Sequence, residues 1–118
     1  MNDNELELIE NFKTLVRRAM LYAEYSHEFI FDESVDDSAA VAYLNIAASK
    51  FAAAESLYYA RIDVLERGEV VEIFRLFDVY MHEFLSNYRT GHSRQWNDIE
   101  FNRLKEAFDD SAFAFENK

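Results

Sequence analysis

"LYAEYSHEFI", Leu21 to Ile30, returns fifty-five residues later as "LFDVYMHEFL", Leu76 to Leu85. Five of the ten positions are identical, and Tyr22/Phe77 and Ile30/Leu85 are conservative pairs. Both copies repeat their apolar residues at intervals of three and four, the period of an amphipathic helix. The same offset lays "KFAAAES" (Lys50 to Ser56) over "KEAFDDS" (Lys105 to Ser111). A duplicated α-hairpin would produce this pattern and a pseudo-two-fold bundle. Amphipathic helices also resemble one another by composition alone.

Outward from the first copy, the stripe Ile9, Phe12, Val16, Ala19, Ala23, Ser26, Ile30 predicts a helix from about Glu5 to Phe31, with Asn2 or Asp3 at its N-cap. "DESVDDS", Asp32 to Ser38, is the first loop: its Asp and Ser side chains compete for backbone hydrogen bonds and suit a helix start. The second helix carries Ala40, Leu44, Ala47, Phe51, Ala54, Tyr58, Ile62 and Leu65. Its alanines let a neighbouring helix approach closely. Gly68, after "VLER", reads as the residue that closes this helix, with the turn at Glu66 to Glu69. "DVLE", Asp63 to Glu66, is an alternative helix start of capping-box spacing. The third helix presents Val70, Phe74, Phe77, Met81, Phe84 and Tyr88 and stops before Gly91. The fourth has Ser93 as its N-cap and runs to about Phe115 on Trp96, Ile99, Phe101, Leu104, Phe108, Ala112 and Phe115. Short turns between amphipathic helices favour antiparallel neighbours, so residues 1–118 are expected to form one all-α domain, an antiparallel four-helix bundle.

Composition agrees. The chain has 118 residues, half of them apolar, with no proline and two glycines. A β-rich fold would need more turn residues. The absence of cysteine excludes disulfides, thiolate metal sites and cysteine nucleophiles. The acidic start "MNDNELELIENF" is unlike a signal peptide, and no apolar run approaches the ~20 residues of a membrane span. A cytoplasmic protein is expected. Twenty-three acidic residues oppose twelve basic ones, a net charge of −11. That balance disfavours direct binding to nucleic acid or to anionic membranes. It favours a basic protein surface as partner, reached by electrostatic steering.

Among the motifs, Glu24 and His27 form Glu-x-x-His, the spacing that aims both side chains into carboxylate-bridged di-metal bundles. The second copy breaks it: Val79 stands where Glu24 stood, and His82 has Asp78 one turn before it. The full ligand set of such bundles is absent, so no metal or other cofactor is expected; Glu24, His27, Asp78 and His82 are the ligands if one binds. A three-histidine set would have to add His92, which stands beside Gly91 in a loop. No glycine-rich phosphate loop and no nucleophile elbow occur. The aromatic–alanine stretch "YLNIAASKFAAAESLYYA", Tyr43 to Ala60, resembles helices of the HEPN superfamily, helical domains that often carry nuclease activity. Their Arg-x(4–6)-His motif is missing, because "RTGH", Arg89 to His92, has the wrong spacing, and the activity is not carried over. Adjacent rings such as Tyr58 and Tyr59 cannot both face a core, so some aromatic surface should be exposed.

Charge placement is the most informative feature. Between Ala19 and Ser49 there is no Lys or Arg, while Glu24, Glu28, Asp32, Glu33, Asp36 and Asp37 fall in that span. Acids at the C-terminal end of a helix oppose its macrodipole, so stability alone does not explain them. The expected function is a non-enzymatic acidic protein-binding module. It would engage a basic partner, such as a nucleic-acid-binding protein, through Glu28, Asp32, Glu33, Asp36 and Asp37, with Phe29 and Phe31 as apolar anchors. Inhibitors that mimic nucleic acid, of the kind phages direct against host defence, share this size and charge. Two alternatives are a metal-binding or enzymatic bundle on Glu24, His27, Asp78 and His82, and a structural oligomerisation domain that buries exposed aromatics in a homodimer.

Overall fold

In a computed structural model the chain is described over residues 2–31, 37–90 and 95–111, and in these residues it is helical with no strand. Five helices follow in order: α1 (Asp3–Phe31), α2 (Asp37–Ala60), α3 (Ile62–Leu65), α4 (Gly68–Thr90) and α5 (Gln95–Asp109). Helix α1 begins where the sequence predicts. Asn2 Oδ1 accepts from the Glu5 amide at 2.8 Å, and Asn2 Nδ2 donates back to Glu5 Oε1 at 3.1 Å. The first bond satisfies one amide that has no partner within the helix, and the second, between side chains, holds the cap in place.

The break after α2 differs from the expected one. Arg61, at φ −127° and ψ 44°, leaves the helical region and ends α2 before Ile62. Ile62 is therefore turned outward and is 40% exposed, although its spacing continues the apolar stripe. Gly68 does not close a helix; it opens α4. The hydroxyl of buried Tyr58 holds this corner, accepting from the Arg67 amide at 3.1 Å and donating to the Arg67 carbonyl at 3.3 Å.

Helices α1 and α2 form the most extensive packing, followed by α4 and α5. Small side chains allow the first: Ala19 and Ala23 of α1 and Ala40, Ala47 and Ala54 of α2 are fully buried. Rings fill the space between α2 and α4, where Phe51 lies 4.3 Å from Phe77 and 6.4 Å from Phe74 between centroids. The core stripe of α4 is wider than the sequence suggests. Ile73, Leu76 and Tyr80 are buried beside Val70, Phe74, Phe77 and Phe84, because α4 packs against both α2 and α5. Met20 of α1 is likewise buried beyond the expected stripe. The expected core positions Tyr88, Trp96, Ala112 and Phe115, and the Ile30 side chain, lie outside what is described.

The two copies of the repeat do not share a register. Ala23 is buried and its counterpart Asp78 is exposed; Tyr80 is fully buried and its counterpart Tyr25 only half-buried. The identical letters stand on differently rotated helices.

Candidate functional site

The acidic end of α1 is reached through its last turn, which contains no basic residue. Glu28 is exposed there. Phe29 is not a free anchor: it is half-buried against the core and stacks on Tyr43, with centroids 5.5 Å apart and planes 14° from parallel. Phe31 ends α1 and Asp37 begins α2, but their side chains lie outside what is described, as do Asp32, Glu33 and Asp36 altogether.

Cations elsewhere are largely occupied by neighbouring acids. Lys13 pairs with Glu10, Arg61 with Asp63, Arg67 with Glu69, Arg75 with Glu72 and Arg103 with Glu100. Lys105 bridges Glu24 at 2.9 Å and Asp109 at 3.4 Å, and the bond to Glu24 holds the ammonium above its usual range.

The four metal-ligand candidates are not brought together. Glu24 is committed to Lys105 of α5. His27 Nε2 donates to Asp98 Oδ1, also of α5, at 3.1 Å. The His27 ring lies flat on Phe101, 4.1 Å between centroids and 11° from parallel, with Tyr80 edge-on at 6.2 Å. Burial lowers the His27 pKa below 6.5, and the bond to Asp98 works against it. His82, with a side chain 71% exposed, turns its Nδ1 back to the Asp78 carbonyl at 2.8 Å. Among the described residues no group of three or more His, Asp or Glu side chains could hold a metal ion. His92 lies outside the described residues.

Next to His27 the core contains one further polar pair. Ser26 Oγ donates to the Ala23 carbonyl at 2.7 Å and so accepts from the Tyr80 hydroxyl at 2.8 Å. Burial raises the Tyr80 pKa far above its ordinary value. A phenol held protonated in this way ties α1 to α4; it is not poised as a base.

Sequence reasoning missed an aromatic shelf along the α1–α2 seam. Tyr22, Tyr25 and Phe29 of α1 surround Tyr43 of α2, with centroids 6.0, 5.3 and 5.5 Å from it. All four rings are half-buried. Lys50 Nζ lies over the Tyr22 ring, 5.6 Å from its centroid. The signal was present: positions 22, 25 and 29 share one helical face beside the buried stripe.

Two open grooves flank α4. One, of about 420 Å³, lies against α2, with a floor of Phe51, Phe74 and Phe77 under Tyr59, which is 54% exposed. The other, of about 500 Å³, lies against α5 and carries the paired charges Glu72–Arg75 and Glu100–Arg103. Neither brings a nucleophile beside a general base. No helix of the described residues is long and apolar enough to cross a membrane. Compared with protein families, with curated protein sequences and with solved structures, the chain finds no match.

Proposed function

We propose that this chain is a non-enzymatic protein-binding module that engages the basic surface of a partner, acting as an inhibitor that occupies the place of nucleic acid. The observation that carries this reading is the separation of charge. Six cations sit in ion pairs within the chain, one of them with Glu24, while the run from Ala19 to Ser49 holds five acids besides Glu24 and no Lys or Arg. Exposed Glu28 leads into the acidic segment. Such a field raises association rates with a basic partner by about 10–10³. The test is capture from a lysate of the native host at low ionic strength. The expected result is a basic, nucleic-acid-binding protein that elutes as salt is raised; an acidic partner that resists salt contradicts the reading.

The scaffold that presents this surface is read as an antiparallel four-helix bundle. Several pairs support it: Phe12 with Tyr58 and Tyr22 with Tyr43 between α1 and α2, Phe51 with Phe77 and Tyr58 with Phe74 between α2 and α4, and His27 with Asp98 and Glu24 with Lys105 between α1 and α5.

One observation favours a second reading, self-association. The outer face of α2 is exposed along Ala42, Asn45, Ser49, Ala53, Ser56 and Ala60 and carries no charge. Copies with a charge of −11 repel least where the surface is neutral. Sedimentation at rising concentration tests it: a dimer that Ala53→Arg dissociates supports the reading, and a monomer at every concentration removes it.

A further inference from the structure

We infer that the aromatic shelf of Tyr22, Tyr25, Phe29 and Tyr43 is the part of the acidic end that receives arginine side chains of the partner. This rests on the basic-partner reading and names the chemistry by which that partner is held. Carboxylates attract any cation, and exposed pairs discriminate little between Arg and Lys. Aromatic faces do discriminate: a guanidinium is planar, weakly hydrated and stacks on a ring, whereas an ammonium is a strongly hydrated point charge. All four rings of the shelf fall in the stretch from Ala19 to Ser49, which holds six acids and no Lys or Arg. The shelf is half-buried, so the rings are fixed yet reachable. Tyr25 meets Tyr22 edge-on at 5.9 Å and lies 5.3 Å from Tyr43, which holds its ring without an external partner. Glu28 stands between Tyr25 and Phe29 in sequence and is exposed.

The shelf already takes one cation of the chain's own. Lys50 Nζ over Tyr22, at 5.6 Å, is within the ~6 Å reach of a cation–π contact. It occupies one ring of the four. It is the sole Lys or Arg between Ala19 and Ala60. An arginine set between Tyr25 and the Glu28 carboxylate would have a ring face beneath it and a bidentate acceptor beside it. Tyrosine and arginine are also the residues in which interface energy concentrates.

The experiment uses the full chain with its tyrosines isotopically labelled. It is titrated at low salt with a peptide of nine arginines and with one of nine lysines. The arginine peptide should bind about three- to tenfold more tightly and move the ring resonances of Tyr25 and Tyr43. Tyr25→Leu should abolish that preference, weakening the arginine peptide more than the lysine peptide, and Tyr25→Phe, which keeps the ring face, should retain it. Equal affinity for the two peptides, or a preference that survives in folded Tyr25→Leu, overturns the assignment of arginine to the shelf and leaves the acidic reading standing. Failure of both peptides to bind at low salt overturns the shelf and the basic-partner reading together.

Discussion

His27 and His82 stand in the same local context, Tyr-x-His-Glu-Phe, and have opposite surroundings. His27 is wedged between α1 and α5, flat on Phe101 and bonded to Asp98. His82 faces solvent and, among the described residues, bonds along its own helix to Asp78. The tyrosines are exchanged in the opposite sense: Tyr80 is fully buried while Tyr25 stands half-exposed in the shelf. Five letters do not set the rotation of a helix. The residues around them do, through which neighbours each helix must cover. α1 turns its alanines to α2, and α4 must satisfy both α2 and α5.

The sharpest way to break this comparison is to truncate the two tyrosines. Tyr80→Ala removes a buried ring and its hydrogen bond to Ser26, and should cost about 3–5 kcal/mol. Tyr25→Ala should cost about 1 kcal/mol, the ordinary value for a partly exposed position. Urea unfolding measures both. Similar losses at the two positions would mean that the copies are structurally equivalent.

The histidines come next. His27→Ala should cost about 1–3 kcal/mol, because it removes a packed ring and one of the bonds that join α1 to α5. His82→Ala should stay within about 0.5 kcal/mol. The His27 effect carries a pH signature. Burial lowers its pKa below 6.5, so the folded state prefers the neutral ring more than the unfolded state does. Its contribution is therefore fully present above pH 6.5 and is lost as the pH falls through the lowered value. Wild type should exceed His27→Gln in stability at about pH 7.5, and the gap should narrow toward about pH 5.5. A gap that widens on acidification would show that Asp98, not burial, dominates.

The smallest effect tests the corner. A Cβ at Gly68 would meet nothing within 4 Å. Gly68→Ala should thus stabilise the protein by about 0.4–1 kcal/mol, by restricting the unfolded chain. Destabilisation by a similar amount would return Gly68 to a left-handed helix-closing role.

These contrasts mark what the sequence could reveal. The core of α2 was readable from Ala40 to Tyr58 because one neighbour-facing stripe dominates it, and the exposure of Tyr59 followed from its adjacency to Tyr58. The end of α2 was not readable: Ile62 and Leu65 continue the spacing through Arg61, and the tie from Tyr58 to Arg67 is a tertiary contact. The extra core residues of α4 were missed because a helix with two neighbours needs a wider stripe than a three–four pattern displays. At the candidate site, Glu28 could be placed as exposed from sequence. The joining of Glu24 to Lys105 and of His27 to Asp98 could not, since it depends on how α5 crosses α1. Phe29 looked like an anchor because its stacking partner, Tyr43, lies on another helix.

The claim that the acidic end works by electrostatic contact with a basic partner is tested most directly by association kinetics. Asp32, Glu33, Asp36 and Asp37 are replaced together by Asn and Gln, and binding to the captured partner is followed across ionic strength. The helical circular-dichroism signal should be unchanged and well above the roughly one-third helix of an average protein. Association should slow about tenfold or more at low salt, and its salt dependence should flatten. Unchanged association rates at low salt would contradict the claim and return the charge to solubility.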